Sequence, residues 1–214
     1  MAVQSSAGSS PAAIRVLLAS SNQGKLREYR ELAAGSGLEI ELLSNFTEFP
    51  AFEESASTFA EIAAGKALYY SGFTDQVVFA DDSGLVVPAL GGAPGIHSAR
   101  YAGPNGTDAD CVRKLLAAMS DMQGDTRCAR FICVTAVARQ GRVLAVVSDS
   151  TEGLIAKEPR GTNGFGYDPV FFFPQIGQTF AEASSSEKNL HSHRGKAFRK
   201  MARLLVAENS LTLS

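Results

Sequence analysis

Two adjacent carboxylates, Asp81 and Asp82, follow directly on an apolar run at residues 77–80 and constrain the fold of this chain more than any other feature. The run, Val-Val-Phe-Ala, is typical of a strand with both faces buried. Gly84 predicts a tight turn where this strand ends. Two acids at the end of a buried strand need a neutralising partner, and ligands of α/β proteins bind at that end of the sheet. The pair indicates a divalent-metal or acid/base site, or alternatively a surface turn in which one Asp caps a backbone N–H.

The composition excludes several classes of protein. The chain has 214 residues, 45% of them hydrophobic and 20% charged, which is ordinary for a soluble globular protein with one sizeable core. A net charge of −2 without a basic run argues against nucleic acid as a partner. No apolar run reaches the roughly 18 residues of a membrane span. The three cysteines lack Cys-x-x-Cys spacing, which argues against a disulfide framework and a zinc site and favours a cytoplasmic location.

The domain organisation is expected to be simple. Residues 1–12 have neither the basic nor the apolar region of a secretory signal, and they predict a loose polar tail. Residues 13–208 contain no internal repeat and no strong linker, so we expect one α/β domain there, followed by a C-terminal tail at residues 209–214.

A small polar loop at residues 20–25 lies between a predicted strand at 14–19 and a predicted helix. Such a loop exposes backbone N–H groups at the positive end of the helix dipole, and Lys25 adds a cation, so the element suits a phosphate. The loop is not a G-x-x-x-x-G-K-[ST] motif. Asn22 acting as an ordinary N-cap would explain the polar residues equally well.

A second helix is predicted from the capping box formed by Thr58 and Glu61. Its apolar stripe has Lys66 on it or beside it. The side chain of this lysine either snorkels to solvent or turns inward towards an anion. The acid pair that precedes the helix includes Glu54, a possible partner for a cation.

Three further patterns complete the prediction. Two strand-like runs at 128–138 and 143–148 predict a β-hairpin, so the sheet is expected to be mixed. Three glycines interleaved with Phe165 and Tyr167 predict a loop with aromatic faces for stacking. The last segment carries Lys, His and Arg donors before a final amphipathic helix. Acids, lysines, aromatics and donors together indicate a nucleotide site.

Six blocks of the sequence, in order along nearly the whole chain, resemble the inosine triphosphatase family of non-canonical purine nucleoside triphosphate pyrophosphatases. The blocks are residues 19–25, Thr58-Phe59 with Lys66-Ala67, 80–85, 90–101, 164–169, and Lys188 with Ser192-His193-Arg194.

The resemblance implies a fold, an activity and a set of residue roles. The fold would be α/β, with a long, mixed, twisted central sheet flanked by helices, in two lobes with the active cleft between them. The activity would be Mg²⁺-dependent hydrolysis of ITP, dITP or XTP to the monophosphate and pyrophosphate, by a homodimer. The alternatives are a Maf-like pyrophosphatase for other modified nucleotides and a non-catalytic nucleotide-binding protein. The roles carried over are Asp82 and Lys66 as catalytic residues, Glu54 and Asp82 as metal ligands, and as substrate contacts Ser20, Ser21, Asn22, Gln23, Gly24, Lys25, Ser83, Phe165, Gly166, Tyr167, Asp168, Lys188, His193 and Arg194.

Overall fold

The computed structural model describes the backbone of residues 13–212 and the side chains of residues 13–207. Within this part of the chain, seven strands form one sheet in the order β2-β1-β3-β4-β5-β6-β7. The strands are β1 Ile14–Leu18, β2 Leu38–Leu42, β3 Val78–Val86, β4 Cys128–Arg139, β5 Arg142–Ile155, β6 Phe171–Phe173 and β7 Gln178–Thr179.

The sheet is mixed, as the sequence predicted. Strand β1 runs parallel to β2 and β3, whereas each pair from β3 to β7 is antiparallel. The predicted hairpin is confirmed as β4 and β5, which turn through Gln140 and Gly141, both at positive φ.

Within residues 13–212 five α-helices flank the sheet, and the starts of most of them follow from local sequence. Asn22, Thr58, Thr107 and Ser184 each cap a helix by accepting a backbone N–H three residues further on. The helices are α1 Gln23–Ala33, α2 Phe59–Tyr70, α3 Asp108–Ala118, α4 Ser185–His191 and α5 His193–Thr212, with 3₁₀ turns that include Pro88–Leu90 and Gly95–Arg100.

The predicted strand end at the two carboxylates is wrong. Strand β3 continues through Asp81, Asp82 and Gly84 to Val86, and all nine of its residues pair with β4. Its neighbour β1 pairs with only the first two residues of β3, so the acids lie just beyond the end of that parallel neighbour. The long antiparallel partner β4 supplies the ladder that carries β3 past the acids. The carboxylates therefore sit in the middle of a strand but at the edge of the parallel part of the sheet.

Gly84 serves close packing rather than a turn. A Cβ atom on Gly84 would lie 2.4 Å from the carbonyl oxygen of Gly95 and 2.6 Å from Oγ of Ser98. The Ser98 hydroxyl accepts the N–H of Leu85 at 2.9 Å and donates to the Gly95 carbonyl at 2.6 Å. A side chain at position 84 would push this 3₁₀ segment away from the sheet.

Among the side chains of residues 13–207, the apolar core has three parts that meet around the centre of β3. One lies between the sheet and helices α1 and α5 and includes Phe79. The second lies under α2 on the opposite face and includes Ala80. The third surrounds α3 and β6 and includes Leu85. Because side chains of a strand alternate between faces, Asp81 follows Phe79 towards α1 and α5, and Asp82 follows Ala80 towards α2.

The predicted domain limits are only partly described. Residues 1–12 and 213–214 lie outside the described residues. Helix α5 extends to Thr212 and thus includes most of the segment assigned to a C-terminal tail.

Candidate active site

A cavity of about 290 Å³ opens where the three core regions meet. Its wall takes residues from both the parallel and the antiparallel part of the sheet and from the loops beside them. Fifteen of the seventeen predicted site positions line it: Ser20, Ser21, Asn22, Lys25, Glu54, Lys66, Asp82, Ser83, Phe165, Gly166, Tyr167, Asp168, Lys188, His193 and Arg194. Gln23 and Gly24 are the predicted site residues that do not.

The chemistry of the cavity is divided by the pleat of β3. Asp81 is fully buried and lies 3.0 Å from Nζ of Lys25 and 3.5 Å from the guanidinium of Arg194. Burial by itself would raise the pKa of Asp81, but the charges of Lys25 and Arg194 outweigh it and leave the pKa lowered. Asp81 is therefore an ionised partner that holds two cations in place.

Asp82 is in the opposite situation. Burial raises its pKa from 3.8 to about 6, although Lys25 and Lys66 pull it down, and the nearby charges of Asp81 and Glu54 add to the rise. One of its carboxylate oxygens, Oδ2, is buried without a hydrogen-bond partner among the described residues. A carboxylate with a raised pKa and an unused oxygen beside a cavity is suited to accept a proton.

Lys66 turns inward, which decides between the two interpretations of its place on α2. Its Nζ donates to Oε1 of Glu54 at 2.5 Å, and Arg100 approaches the other oxygen of Glu54 at 3.3 Å. Burial would raise the pKa of Glu54, but the hydrogen bond and charge of Lys66, with help from Arg100, leave it lowered. Glu54 is thus an anion at the cavity wall, held between two cations.

The polar loop before α1 both caps the helix and lines the cavity, so the two interpretations of its sequence are compatible. The Asn22 side chain caps the helix by accepting the N–H of Lys25 at 3.0 Å, while Ser20, Ser21, Asn22 and Lys25 also line the cavity. Gly24 has a packing reason: a Cβ atom there would lie 2.8 Å from the ring of Phe165. The start of α1 therefore touches the aromatic loop from the other side of the cavity.

Glu28 does not line the cavity but holds two residues that do, and it was not among the predicted site residues. It is buried on α1 and accepts from Nζ of Lys188 and from Arg194, each at 2.5 Å. Burial alone would raise its pKa, but Arg194 and Lys188 leave the pKa lowered. The available signal was its spacing: it follows Lys25 by three residues and therefore shares a helix face with it.

A buried ionic network thus lies behind the cavity. Lys188 also donates to Asp168 at 2.5 Å, and Arg194 donates to the Ser83 hydroxyl at 2.7 Å. Because Glu28 joins the two cations, the network links α1, β3, α4 and α5. Buried charges need such pairing, and the pairing fixes where the Lys188 and Arg194 side chains point.

The aromatic loop contributes one available ring rather than two. Tyr167 is 3% exposed, packs in the core and donates its hydroxyl to the Ser98 carbonyl at 2.9 Å. Of the two rings, Phe165 is therefore the one available to stack on a base. It is half-buried, and its ring centroid lies 5.1 Å from Nζ of Lys188 and 5.4 Å from Cζ of Arg194. Asp168, which also lines the cavity, is buried and accepts the N–H of Phe165 at 2.8 Å.

His193 is buried at the start of α5 and stacks on Phe131, with ring centroids 4.6 Å apart. Burial and the neighbouring cations, Arg194 first among them, hold its pKa well below the ordinary value, so the ring is neutral. Its Nδ1 and the Nε of Arg194 are buried without a partner among the described residues. Unpartnered buried nitrogens are costly unless a ligand satisfies them.

The carboxylates at the cavity wall are candidate ligands for a metal ion. Among the described residues, no group of three or more His, Cys, Asp or Glu side chains is arranged to hold a metal ion. Mg²⁺ commonly uses only one or two protein carboxylates and takes its other ligands from phosphates and water. The unpartnered Oδ2 of Asp82, with Glu54 close enough to raise the pKa of Asp82, fits that sparse donor set.

Fold and site together define an α/β protein with an acidic and cationic cleft suited to a phosphorylated ligand. The chain belongs to the Ham1 family, whose profile matches residues 16–204. The family resemblance inferred from the sequence motifs is thereby confirmed.

Individual relatives agree with this assignment. The dITP/XTP pyrophosphatase of Geobacillus kaustophilus is 49% identical over 186 residues, which cover 87% of this chain and 91% of the relative. The dITP/XTP pyrophosphatase of Gloeobacter violaceus is 50% identical over 186 residues, with the same coverage of 87% and 91%. A solved structure of a HAM1 protein from Coxiella burnetii has a TM-score of 0.80 and 42% identity, covering 91% of this chain and 99% of that chain. The expected α/β fold with a mixed sheet is confirmed.

Proposed function

We propose that this protein hydrolyses non-canonical purine nucleoside triphosphates, namely ITP, dITP and XTP, to the monophosphate and pyrophosphate. The observation that carries the proposal is Asp82, a carboxylate with a raised pKa and an unpartnered oxygen, placed among lysines in a cavity of suitable size. Relatives at 49% and 50% identity carry the name dITP/XTP pyrophosphatase, which supports the same substrate class here.

Hydrolysis requires a proton acceptor and cations near the phosphates. A water oxygen attacks the α-phosphorus, the bond from that phosphorus to the bridging oxygen breaks, pyrophosphate leaves, and the water proton passes to Asp82. Lys25 and Lys66 stabilise the charge that develops on the phosphoryl oxygens. The N-terminus of α1, with Ser20 and Ser21 before it, receives the phosphate chain.

Base recognition would use the far side of the cavity. Hypoxanthine and xanthine carry a 6-keto acceptor where adenine carries an amino donor. The unpartnered nitrogens of Arg194 and His193 are in residues that line the cavity, and an N–H donor there would pair with the keto oxygen but not with an amino group. Sites built on such hydrogen bonds reject the mismatched analogue strongly. The ring of Phe165 is available to stack on the base.

The proposed cofactor is Mg²⁺, held by Glu54 and Asp82. The metal would neutralise charge on the triphosphate and lower the pKa of bound water. Lys66 and Arg100, which pair with Glu54 in this structure, would then have phosphate oxygens as additional partners.

The remaining proposals concern the oligomeric state, the location and the partners of the protein. We propose a homodimer in the cytoplasm, on the strength of the family resemblance and the cysteine content. No helix in residues 13–212 combines the length and apolarity needed to cross a membrane. The expectation that nucleic acid is not a partner stays a prediction.

The test is a panel of nucleoside triphosphates, assayed with Mg²⁺ and with pyrophosphate and inorganic phosphate both quantified. We expect ITP, dITP and XTP to give pyrophosphate and monophosphate, with ATP and GTP much slower, and Asp82→Asn to abolish turnover. Asp121→Asn, at an exposed acid outside the cavity wall, is the matched control and should keep full activity.

Each alternative has its own outcome in this panel. Release of inorganic phosphate, or equal turnover of ATP, would contradict the proposal. A preference for modified pyrimidine or methylated nucleotides would favour a Maf-like enzyme. Binding of ITP by calorimetry without any turnover would favour a non-catalytic nucleotide-binding protein.

A further inference from the structure

Asp108 is an acidic residue in the cavity wall that has no role in the site described so far. It is the first residue of α3 and is exposed. The capping box between Thr107 and Asp110 fixes the helix end on which Asp108 stands. Its Oδ2 accepts the backbone N–H of Gly166 at 2.7 Å. A side chain from α3 thereby holds the aromatic loop.

Two carboxylates hold consecutive amides of this loop. Asp168 accepts the N–H of Phe165 at 2.8 Å, and Asp108 accepts the N–H of Gly166. Gly164 and Gly166, on either side of the ring, have φ values of +74° and +62°. Glycines have the largest conformational freedom of all residues, so the segment needs ties to keep one conformation. Asp168 belongs to the loop itself, whereas Asp108 is anchored on a separate helix.

The held conformation determines where the Phe165 ring lies. The ring sits over the cations of Lys188 and Arg194 and packs against Gly24, across the cavity. Those cations are themselves fixed by the buried network around Glu28. The Phe165 ring cannot form an ion pair of this kind, because a phenyl group carries no charge. Only its backbone and its packing contacts position it. The hydrogen bond from the Gly166 N–H to Asp108 fixes the backbone directly beside the ring to a separate helix.

We propose that Asp108 is a positioning residue for nucleotide binding, which keeps the Phe165 ring in place to stack on the purine by accepting the N–H of Gly166. The inference rests on the proposed function for the identity of the ligand. Stacking on the base is made equally in the bound substrate and in the transition state, because the base is remote from the reacting phosphorus. Loss of Asp108 should therefore raise KM and leave kcat nearly unchanged.

A rival explanation is that Asp108 acts through its charge, at the helix N-terminus or on the approaching triphosphate. Two variants separate these roles. Asp108→Ala removes both the charge and the acceptor. Asp108→Asn removes the charge but keeps a carbonyl oxygen that can accept the same N–H. Asp121→Ala, an exposed acid beyond the other end of α3, is the control for lost charge.

The experiment combines steady-state kinetics on ITP with Mg²⁺ and hydrogen exchange followed by mass spectrometry on the protein without ligand. For Asp108→Ala we expect KM to rise about tenfold, the loss expected for one hydrogen bond to a charged acceptor, with kcat within about twofold of the unaltered protein. Peptides that cover residues 161–168 should exchange faster. Asp108→Asn should recover most of both properties, and Asp121→Ala should change neither.

Several results would overturn the proposal. They are unchanged loop exchange in Asp108→Ala, a fall in kcat without a change in KM, and an Asp108→Asn variant as impaired as Asp108→Ala, which would assign the effect to charge. Failure of the proposed function is distinguishable from these. If the unaltered protein hydrolyses no nucleotide in the panel, the exchange experiment alone decides whether Asp108 holds the loop, and a stationary loop in Asp108→Ala refutes it.

Discussion

Replacing Asp82 by Asn should stabilise the metal-free protein while it abolishes turnover. Asn has the shape of the protonated carboxyl group and carries no charge. The ionised form of Asp82 is disfavoured by burial, which raises its pKa in the folded protein from 3.8 to about 6. The folded state therefore carries a cost that the unfolded state does not, and the substitution removes it.

The size and the pH range of this effect follow from the pKa. Below about pH 4 Asp82 is protonated in both states, and the cost is absent. Between about pH 4 and 6 the unfolded state loses the proton first, and above about pH 6 the full cost is present. A shift of about two units corresponds to about 3 kcal/mol, and partial exposure to solvent reduces this to about 2 kcal/mol. For a chain of this size that is about 4–8 °C in melting temperature.

The neighbouring acid is the matched control, with the opposite sign. The pKa of Asp81 is lowered, so its ionised form stabilises the fold at neutral pH, and this contribution is lost only as the pH falls through that lowered pKa. Asp81→Asn removes the buried anion beside Lys25 and one of the two anions that face Arg194, and should cost about 3–5 kcal/mol.

The assay is urea denaturation of both variants with EDTA present, at pH 8 and at pH 4.5. We expect Asp82→Asn to exceed the unaltered protein in free energy of unfolding at pH 8 and to approach it at pH 4.5. A variant that is equally or less stable at pH 8, or a gain that does not shrink on acidification, would refute the reasoning from burial.

Three further predictions concern the network, the strand and the metal. Glu28→Gln leaves two buried cations short of their anion and should lower the free energy of unfolding by about 3–5 kcal/mol in urea; an unchanged midpoint would mean that the network does not hold them. Gly84→Ala places a Cβ atom 2.4 Å from the Gly95 carbonyl and should cost about 1–3 kcal/mol, whereas Gly72→Ala, with no atom within 4 Å, should cost much less by the same measurement. EDTA should abolish turnover and Mg²⁺ restore it, with a higher half-saturating Mg²⁺ concentration in Glu54→Gln; turnover that ignores EDTA would exclude the proposed metal.

Much of the fold was predictable because its signals are local. Caps such as Thr58 and Thr107 act within one turn, and the alternating pattern of β2 and the turn at Gly141 act over a few residues. The cavity residues were predictable in a different way, through motifs that resemble a known family. Neither route required the packing of distant segments to be known.

The errors arise where distant segments decide. The extent of β3 past its acids depends on pairing with β4, about fifty residues later, and local sequence cannot reveal that ladder. The ring of Tyr167 is core rather than a stacking face because its hydroxyl meets a carbonyl of the 3₁₀ segment near residue 98. The only sequence signal for Glu28 was its spacing from Lys25, because its partners Lys188 and Arg194 lie at least 160 residues away along the chain.

Lys25 links the two carboxylates of β3 to the proposed catalysis. Its ammonium group is held 3.0 Å from Asp81, on the face of β3 where the acid stabilises the fold. Its charge also lowers the pKa of Asp82, on the face of β3 that opens to the cavity. A lysine that is already oriented loses little side-chain entropy when a phosphate arrives, and its charge needs no rearrangement during the reaction. In the proposed mechanism Asp81 thus orients a cation for the phosphates, and Asp82 is left unpaired to take the proton. Two identical side chains one residue apart acquire separate roles because a strand sends them to opposite faces.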